Sequence, residues 1–214
     1  MFSKLQYISQ GATAKEQLEN IQNGLDAGCD WVQLRFKNGN ENEFVEVAEQ
    51  VKTICSTYRA TFIINDHAQI AKDIDADGVH LGLQDMPVLQ ARQILGESKI
   101  IGGTANTLGD VLSRVNEKCD YIGLGPFRFT ATKEKLSPLL GLQGFETIMN
   151  ALAEREINIP VYAIGGIMDE DIESILATGV YGVAVSGMIT GSKDKKELIQ
   201  KLNSMLYEKV SNRG

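Results

Sequence analysis

The stretch PVYAIGGIMDEDIESILATGVYGVAVSG, residues 160–187, contains two short apolar runs separated by a segment long enough for a helix. The runs are VYAI at 161–164 and GVAV at 182–185, and glycine or serine follows each of them. Short apolar runs bounded in this way are typical of buried strands. The order strand, helix, strand predicts a βαβ unit of a parallel sheet.

The same alternation occupies the whole chain of 214 residues. The eight apolar runs are KLQYIS (4–9), WVQLR (31–35), TFIIN (61–65), GVHL (78–81), KIIGG (99–103), DYIGLG (120–125), PVYAIGG (160–166) and GVAVSG (182–187). Eight similar units predict an α/β fold, a (β/α)8 TIM barrel with a single domain over residues 1–214. An open, doubly wound sheet is the competing topology.

Helix-capping signals mark the segments between the runs. Thr13 and Glu16 form a capping-box pattern, and Gly28 stands where the first helix is expected to end. Asn40 and Glu43 form a similar pair before the second helix. These signals predict the helices that a barrel of βα units requires.

Composition excludes some classes of protein. The formal net charge is −7, which disfavours a sequence-independent grip on nucleic acid, since such binding needs a basic surface. The start of the chain does not resemble a signal peptide, and no stretch approaches the roughly 18 apolar residues of a membrane span. Cys29, Cys55 and Cys119 match no zinc or disulfide pattern. We therefore expect a cytoplasmic protein that binds neither nucleic acid nor membrane; whether it forms a homo-oligomer stays open.

The second run continues into three polar side chains that share one face. Gln33, Arg35 and Lys37 alternate with Leu34 and Phe36, and strand residues two apart point the same way. A closed parallel barrel buries both faces of its strands, and a buried arginine needs an anionic partner. The pattern predicts an anion site in the barrel mouth; a solvated face of an edge strand is the alternative.

Carboxylates follow the third and fourth runs. The third ends in Asn65-Asp66-His67, and Asp85 stands a few residues beyond the fourth. Two carboxylates from neighbouring strands, with room for phosphate oxygens, suit Mg²⁺. The alternative is that these aspartates only cap the segments that follow them. His67 and His80, the two histidines, receive no catalytic role, because a single histidine near a strand end is more often structural.

A long connection follows the sixth run. GPFRFTATKEKLSPLL, residues 125–140, precedes a helix predicted to begin near Gly141. It carries Thr130, Thr132, Lys133 and Lys135, and hydroxyl and ammonium groups together can bind phosphate oxygens. Connections of this length are often functional. A solvated charged turn is the alternative.

Glycine and serine follow the seventh and eighth runs. Gly165 and Gly166 end the seventh, while Ser186 and Gly187 end the eighth. In TIM barrels the loops after these two strands frequently bind phosphate, and glycine lets a ligand approach the backbone closely. The position of these residues in the series therefore predicts a phosphate-binding site.

Taken together, the segments resemble the thiamine-phosphate synthase family in order and spacing, over nearly the whole chain. They are QLRFK (33–37), IIND (63–66), ADGVHLGLQD (76–85), GLGPFRFTATK (123–133), PVYAIGGI (160–167) and GVAVSG (182–187). The resemblance implies a (β/α)8 barrel that joins hydroxymethylpyrimidine diphosphate to a thiazole phosphate, with Mg²⁺ as cofactor. Diphosphate would leave first, and the thiazole nitrogen would then attack the pyrimidine carbocation.

Site residues are implied by the same resemblance, position by position. Asp66 and Asp85 match the magnesium ligands. The implied catalytic residues are Arg35, Lys37, Thr104 and Lys133. The implied substrate-binding residues are Gln33, Arg35, Lys37, Asn65, Thr104, Thr130, Thr132, Lys133, Gly166, Val185 and Ser186. Gln33 matches a pyrimidine contact, whereas the last three match a phosphate cradle.

The chain departs from the family pattern at two places. Leu83 lies in a stretch where the family usually has glutamine, and Asn106 replaces the histidine of a Ser-x-His pattern in which Thr104 keeps the hydroxyl. The nearest rival is the thiazole tautomerase branch of the same superfamily, but Pro126 stands where that branch would place a catalytic histidine. A non-catalytic sensor of a thiamine precursor and a phosphate-barrel isomerase or epimerase are further alternatives.

Overall fold

A computed structural model describes residues 2–129 and 138–207, and within them eight parallel strands close into a barrel. The strands are β1 (Leu5–Ile8), β2 (Trp31–Leu34), β3 (Thr61–Asn65), β4 (Gly78–Leu81), β5 (Ile100–Ala105), β6 (Tyr121–Leu124), β7 (Val161–Ile164) and β8 (Gly182–Val185). They pair in chain order, and β8 pairs with β1. Each predicted run contains a strand, so the predicted (β/α)8 barrel is confirmed and the open sheet is excluded.

Helices follow the strands along the chain. They are α1 (Ala14–Asp26), α2 (Glu41–Tyr58), α3 (Ala68–Asp73), α4 (Val88–Leu95), α5 (Leu108–Asn116), α6 (Gly141–Glu154), α7 (Ile172–Ala177), α8 (Gly187–Thr190) and α9 (Lys195–Tyr207), with a 3₁₀ turn at Asp169–Asp171. The short α8 directly after β8 is an addition that the sequence pattern did not predict. Within the described ranges, no helix is both long and apolar enough to cross a bilayer.

The helix-capping signals act largely as predicted. Asn40 and Glu43 form a complete capping box at the start of α2. Thr13 Oγ1 accepts a hydrogen bond from Glu16 N at 3.2 Å, but the Glu16 carboxylate accepts from Ala12 N rather than from Thr13 N. Thr13 therefore caps α1 as predicted, but the Glu16 carboxylate binds the N–H of the residue before the N-cap and not that of the N-cap itself. Gly28 follows α1 with a φ of 105°, a conformation in which glycine avoids the steric cost of a Cβ.

Large aromatic side chains fill the N-terminal end of the barrel. Trp31 and Tyr121 are the first residues of β2 and β6, and their rings meet edge to face at 5.1 Å between centroids. The ring of Tyr162 packs against that of Trp31 at 5.2 Å between centroids. The ring of Phe2 contacts both Trp31 and Tyr121. Edge-to-face pairs of this kind add to the stabilisation from burial. Because this end is closed by packing, ligand-binding groups must lie at the C-terminal ends of the strands.

Gly102 makes room for this cluster. It lies on β5, and a Cβ added to it would stand 2.1 Å from Cζ of the Tyr121 ring. No side chain can be accommodated at that distance without moving the ring. The glycine therefore allows Tyr121 to lie across the inner face of the barrel.

Replacing Gly102 with alanine is expected to destabilise the fold by about 1–3 kcal/mol, the usual cost of overpacking a core. Gly109→Ala is the matched control, because its added Cβ meets its nearest neighbour, Thr107 Oγ1, at an ordinary 3.6 Å. Chemical denaturation of both variants measures the free energies of unfolding. Equal stability of the two variants would contradict the packing described for Tyr121.

Candidate active site

Two carboxylates and an ammonium group meet beyond the ends of β2, β3 and β4. Lys37 Nζ forms a short ion pair with Asp66 Oδ2. Asp66 has a φ of 67°, and its N–H donates to the carbonyl of His80 at 2.8 Å, which holds it against β4. Asp85 Oδ2 accepts a hydrogen bond from Gly82 N at 2.6 Å. The predicted pair of aspartates is thus brought together with the predicted lysine.

The two carboxyl groups titrate as a pair. Burial raises the pKa of Asp66, and its hydrogen bond with Asp85 adds to that shift, while Lys37 opposes it. Burial alone would also raise the pKa of Asp85, but hydrogen bonds from Asp66 and from Gly82 N outweigh it and lower this pKa. The pKa of Asp66 is thus raised and that of Asp85 is lowered, as expected for two neighbouring carboxyl groups that titrate together. Such a pair favours a positive species between its oxygens.

Capping does not explain these aspartates. His67 stands at the N-cap of α3 and Pro87 at the N-cap of α4, and neither helix has a side-chain cap. The hydrogen bond from Gly82 to Asp85 closes a turn, and a Cβ at Gly82 would stand 2.7 Å from the Asp85 carboxylate. The turn thus requires a glycine where the carboxylate approaches the backbone.

Gln33 and Asn65 form a buried amide pair inside the barrel. Gln33 Nε2 donates to Asn65 Oδ1 at 2.7 Å, and both side chains are almost fully buried. Gln33 Oε1 is buried without a hydrogen-bond partner among the described residues. A buried acceptor of this kind is costly unless a donor reaches it. The amide oxygen therefore suits a ligand that carries an N–H group.

A cavity of about 400 Å³ lies at the C-terminal ends of β1, β2, β7 and β8. Arg35 and Lys37 line one side. The predicted cradle lines the other, with Gly165, Gly166, Val185, Ser186 and Gly187. Gly165 and Gly166 have φ values of 89° and 70°, so their backbone conformation favours glycine. The structure therefore brings Arg35 and Lys37 to the same cavity as the predicted cradle.

The rim of this cavity contains an ion pair that sequence reasoning missed. Arg128 forms two hydrogen bonds with the carboxylate of Asp171, each 2.8 Å long, and a third with the carbonyl of Gly166 at 3.2 Å. Arg128 thereby ties the connection after β6 to the loop after β7. An arginine in the long connection was visible in the sequence, but its partner 43 residues away was not.

Thr104 lies half-buried on β5 and belongs to a hydrogen-bonded series. Its Oγ1 is 3.0 Å from His80 Nε2, and His80 Nδ1 is 3.0 Å from the Tyr121 hydroxyl. Gln6 Nε2 donates to the same hydroxyl at 3.2 Å. His80 thus connects Tyr121 and Thr104 inside the barrel, in keeping with the expectation of a structural histidine without a catalytic role.

The structure describes both residues that depart from the family pattern. Asn106 is buried, and its amide group donates to the carbonyls of Ala105 and Gly125, so it ties the ends of β5 and β6 together. These contacts are made by the carboxamide and do not require an imidazole. Leu83 is 40% exposed on the turn after β4.

Four predicted residues are not described by the structure, and one further cavity contains none of the predicted site residues. Thr130, Thr132, Lys133 and Lys135 lie outside the described residues. A larger cavity, about 580 Å³, opens at the N-terminal ends of β3 and β5, where Lys52, Arg59 and Lys99 are among its lining residues. It contains none of the predicted site residues. Convergence of functional groups, and not cavity size, therefore locates the candidate site.

Comparison with known proteins gives one family. The family model described as thiamine monophosphate synthase matches residues 5–189. A thiamine-phosphate synthase of Flavobacterium johnsoniae is 56% identical over 210 residues, covering 98% of this chain and 99% of that protein. One of Flavobacterium psychrophilum is 57% identical over 206 residues, covering 96% and 100%.

Solved structures agree with these relatives. A thiamine phosphate pyrophosphorylase from Pyrococcus furiosus superposes with a TM-score of 0.83 at 30% identity, covering 95% of each chain. A 3-hexulose-6-phosphate synthase superposes with a TM-score of 0.70 at 15% identity, covering 95% of this chain and 100% of that one, and shows the fold alone. The match over residues 5–189 and the near end-to-end identity to named synthases lead to one conclusion: the chain belongs to the thiamine monophosphate synthase family.

Proposed function

We propose that this chain condenses hydroxymethylpyrimidine diphosphate with thiazole phosphate, forming thiamine phosphate and releasing diphosphate. The observation that carries the proposal is the convergence of Lys37, Asp66 and Asp85 beside a cavity with a glycine and serine wall. Such a site offers a cation-binding group and a second anion-binding wall, as two phosphorylated substrates require. Relatives 46–57% identical to the chain bear the name thiamine-phosphate synthase, which supports this reaction.

Magnesium fits the carboxylate pair. The side chains of Asp66 and Asp85 contact each other in a partly buried setting, and a cation bound between them would relieve their mutual repulsion. Hard carboxylate oxygens, one or two in number, are what Mg²⁺ takes from a protein when phosphate oxygens complete its shell. When bound, the metal would supply positive charge to the diphosphate.

Basic side chains of the chain itself would act on the leaving group. The C–O bond between the pyrimidine methylene and diphosphate breaks, and its electron pair leaves with the diphosphate. Arg35 and Lys37, with Lys133 by resemblance, would stabilise the negative charge that develops there. The lone pair of the thiazole nitrogen then forms the new C–N bond. No step needs a general base, so the replacement of histidine by Asn106 does not oppose the reaction.

The two substrates would occupy different sides of the site. Gln33 Oε1 would accept a hydrogen bond from the pyrimidine amino group, while Asn65, which holds the Gln33 amide, would face the diphosphate region. Gly166, Val185 and Ser186 would bind the thiazole phosphate through backbone N–H and hydroxyl groups. Thr130 and Thr132 match, by resemblance only, a loop that contacts both the thiazole phosphate and the diphosphate.

Turnover is the direct test. Purified chain, both substrates and Mg²⁺ are expected to yield thiamine phosphate, detected after oxidation to its fluorescent form. A parallel reaction with excess chelator is expected to yield none, and added Mg²⁺ is expected to restore it. Absence of product under conditions in which the Flavobacterium johnsoniae relative is active would overturn the proposal.

Asp85→Asn is expected to lower turnover by at least about 100-fold, the scale of losing a preorganised electrostatic group. The amide oxygen can still accept the hydrogen bond from Gly82, so the turn should survive. Glu46→Gln, on the exposed face of α2, is the matched loss of one negative charge. Steady-state rates and circular dichroism compare the two variants; near-normal turnover in Asp85→Asn would remove this carboxylate from the mechanism.

Ser186→Ala is expected to raise the KM for thiazole phosphate about tenfold, since one hydrogen bond to a charged group is lost. The KM for the pyrimidine diphosphate should change little, because that substrate would lie on the other side. Ser174→Ala, at an exposed position of α7, is the control. Equal KM changes for both substrates would count against the assignment of this wall to the thiazole phosphate.

A further inference from the structure

We propose that His80 is a positioning residue, which holds the Thr104 hydroxyl as a hydrogen-bond donor toward the barrel mouth. It does so as part of a relay that runs from Gln6 through Tyr121 and His80 to Thr104. Its effect on turnover rests on the proposed function. The orientation of the hydroxyl does not, because it follows from contacts within the chain.

The relay begins with a hydroxyl that must donate. Gln6 Nε2 donates to the Tyr121 oxygen at 3.2 Å. Burial raises the pKa of Tyr121, so the phenol keeps its proton. A buried O–H without an acceptor is costly, and His80 Nδ1 stands 3.0 Å away. Tyr121 therefore donates to Nδ1, which must be the unprotonated ring nitrogen.

The direction of hydrogen-bond donation from Tyr121 then determines which nitrogen of the imidazole ring donates to Thr104. A neutral histidine with an unprotonated Nδ1 carries its proton on Nε2. His80 Nε2 is 3.0 Å from Thr104 Oγ1, so the ring donates and the threonine oxygen accepts. The hydroxyl hydrogen of Thr104 must then point elsewhere, and it has no other hydrogen-bond partner in the part of the chain that the structure describes.

The position of Thr104 is fixed as well as its direction. Arg114, a buried residue of α5, donates through Nε to the Thr104 carbonyl at 3.2 Å and through an η nitrogen to the Gly82 carbonyl at 2.8 Å. The backbone of β5 is thereby tied to the turn that carries Asp85.

A directed donor suits the proposed chemistry. A free hydroxyl rotates, and it can present lone pairs as readily as its hydrogen. Toward an anionic diphosphate only the hydrogen is favourable. A donor oriented before the charge develops avoids reorientation during the reaction, which is how preorganised groups stabilise transition states. The relay explains why threonine can stand here, because only the hydroxyl is used.

The tautomer can be measured directly, without substrate. The chain has two histidines, so long-range ¹H–¹⁵N NMR spectra of ¹⁵N-labelled protein contain two ring systems, and His67→Gln assigns them. We expect His80 at neutral pH to have a protonated Nε2 and an unprotonated Nδ1. A protonated Nδ1, alone or together with Nε2, would overturn the relay.

Kinetics test whether His80 acts through Thr104. Tyr121→Phe removes the first donor and keeps the ring, so it is expected to lower kcat about tenfold, the scale of one hydrogen bond. Thr104→Val should lower kcat, and Thr104→Ser should restore most of it. In the Thr104→Val background, Tyr121→Phe should not lower kcat further, because the Thr104 hydroxyl through which it would act is already absent. Independent, multiplicative losses would overturn the proposal.

Tyr162→Phe is the matched control. Tyr162 is also fully buried in the aromatic cluster, but its hydroxyl donates to the Ser3 carbonyl at 2.6 Å and does not reach His80. It is expected to leave kcat and the His80 spectrum unchanged, whereas Tyr121→Phe should reduce the Nε2–H population. An inactive wild-type chain with the expected tautomer would count against the proposed reaction alone, so the two failures are distinguishable.

Discussion

Backbone pairing between β1 and β8, from Leu5 opposite Val183 to Tyr7 opposite Val185, turns eight strands into a ring. Without this pairing, both strands would be edges with unpaired N–H and C=O groups. With it, every strand has two neighbours, and all eight carboxyl ends surround one mouth. The residues that follow the strands can then meet although they are far apart in the chain.

Closure also makes the two ends of the barrel different. At the N-terminal end, Trp31, Tyr121 and Tyr162 pack edge to face and fill the interior. At the other end, the inward positions carry amide, hydroxyl and charged groups. Tyr121 belongs to both regions, because its ring packs in the cluster while its hydroxyl contacts His80. The packed core therefore supports the polar site physically and shapes its hydrogen bonding.

Charge balance organises the mouth. Asp66 and Asp85 follow the neighbouring strands β3 and β4 and titrate together, and Lys37, which follows β2, pairs with Asp66. Two carboxyl groups this close cannot both be charged at little cost, so a proton or cation belongs between them. The same arrangement leaves Arg35 facing the cavity with the glycine wall. The carboxylate pair and the cavity with the glycine wall thus adjoin, since Lys37 contacts the one and lines the other.

The sequence by itself determined the eight strands, the capping box at Asn40 and the polar positions after β2, since these follow from periodicity and neighbouring residues. Order and spacing of the motifs also identified the family. Only the tertiary structure decided the β1–β8 closure, the contact of Asp66 with Asp85 and the relay from Gln6 to Thr104. Gln6 and Tyr121 are 115 residues apart, and local patterns carry no information about such contacts, which arise when the barrel packs.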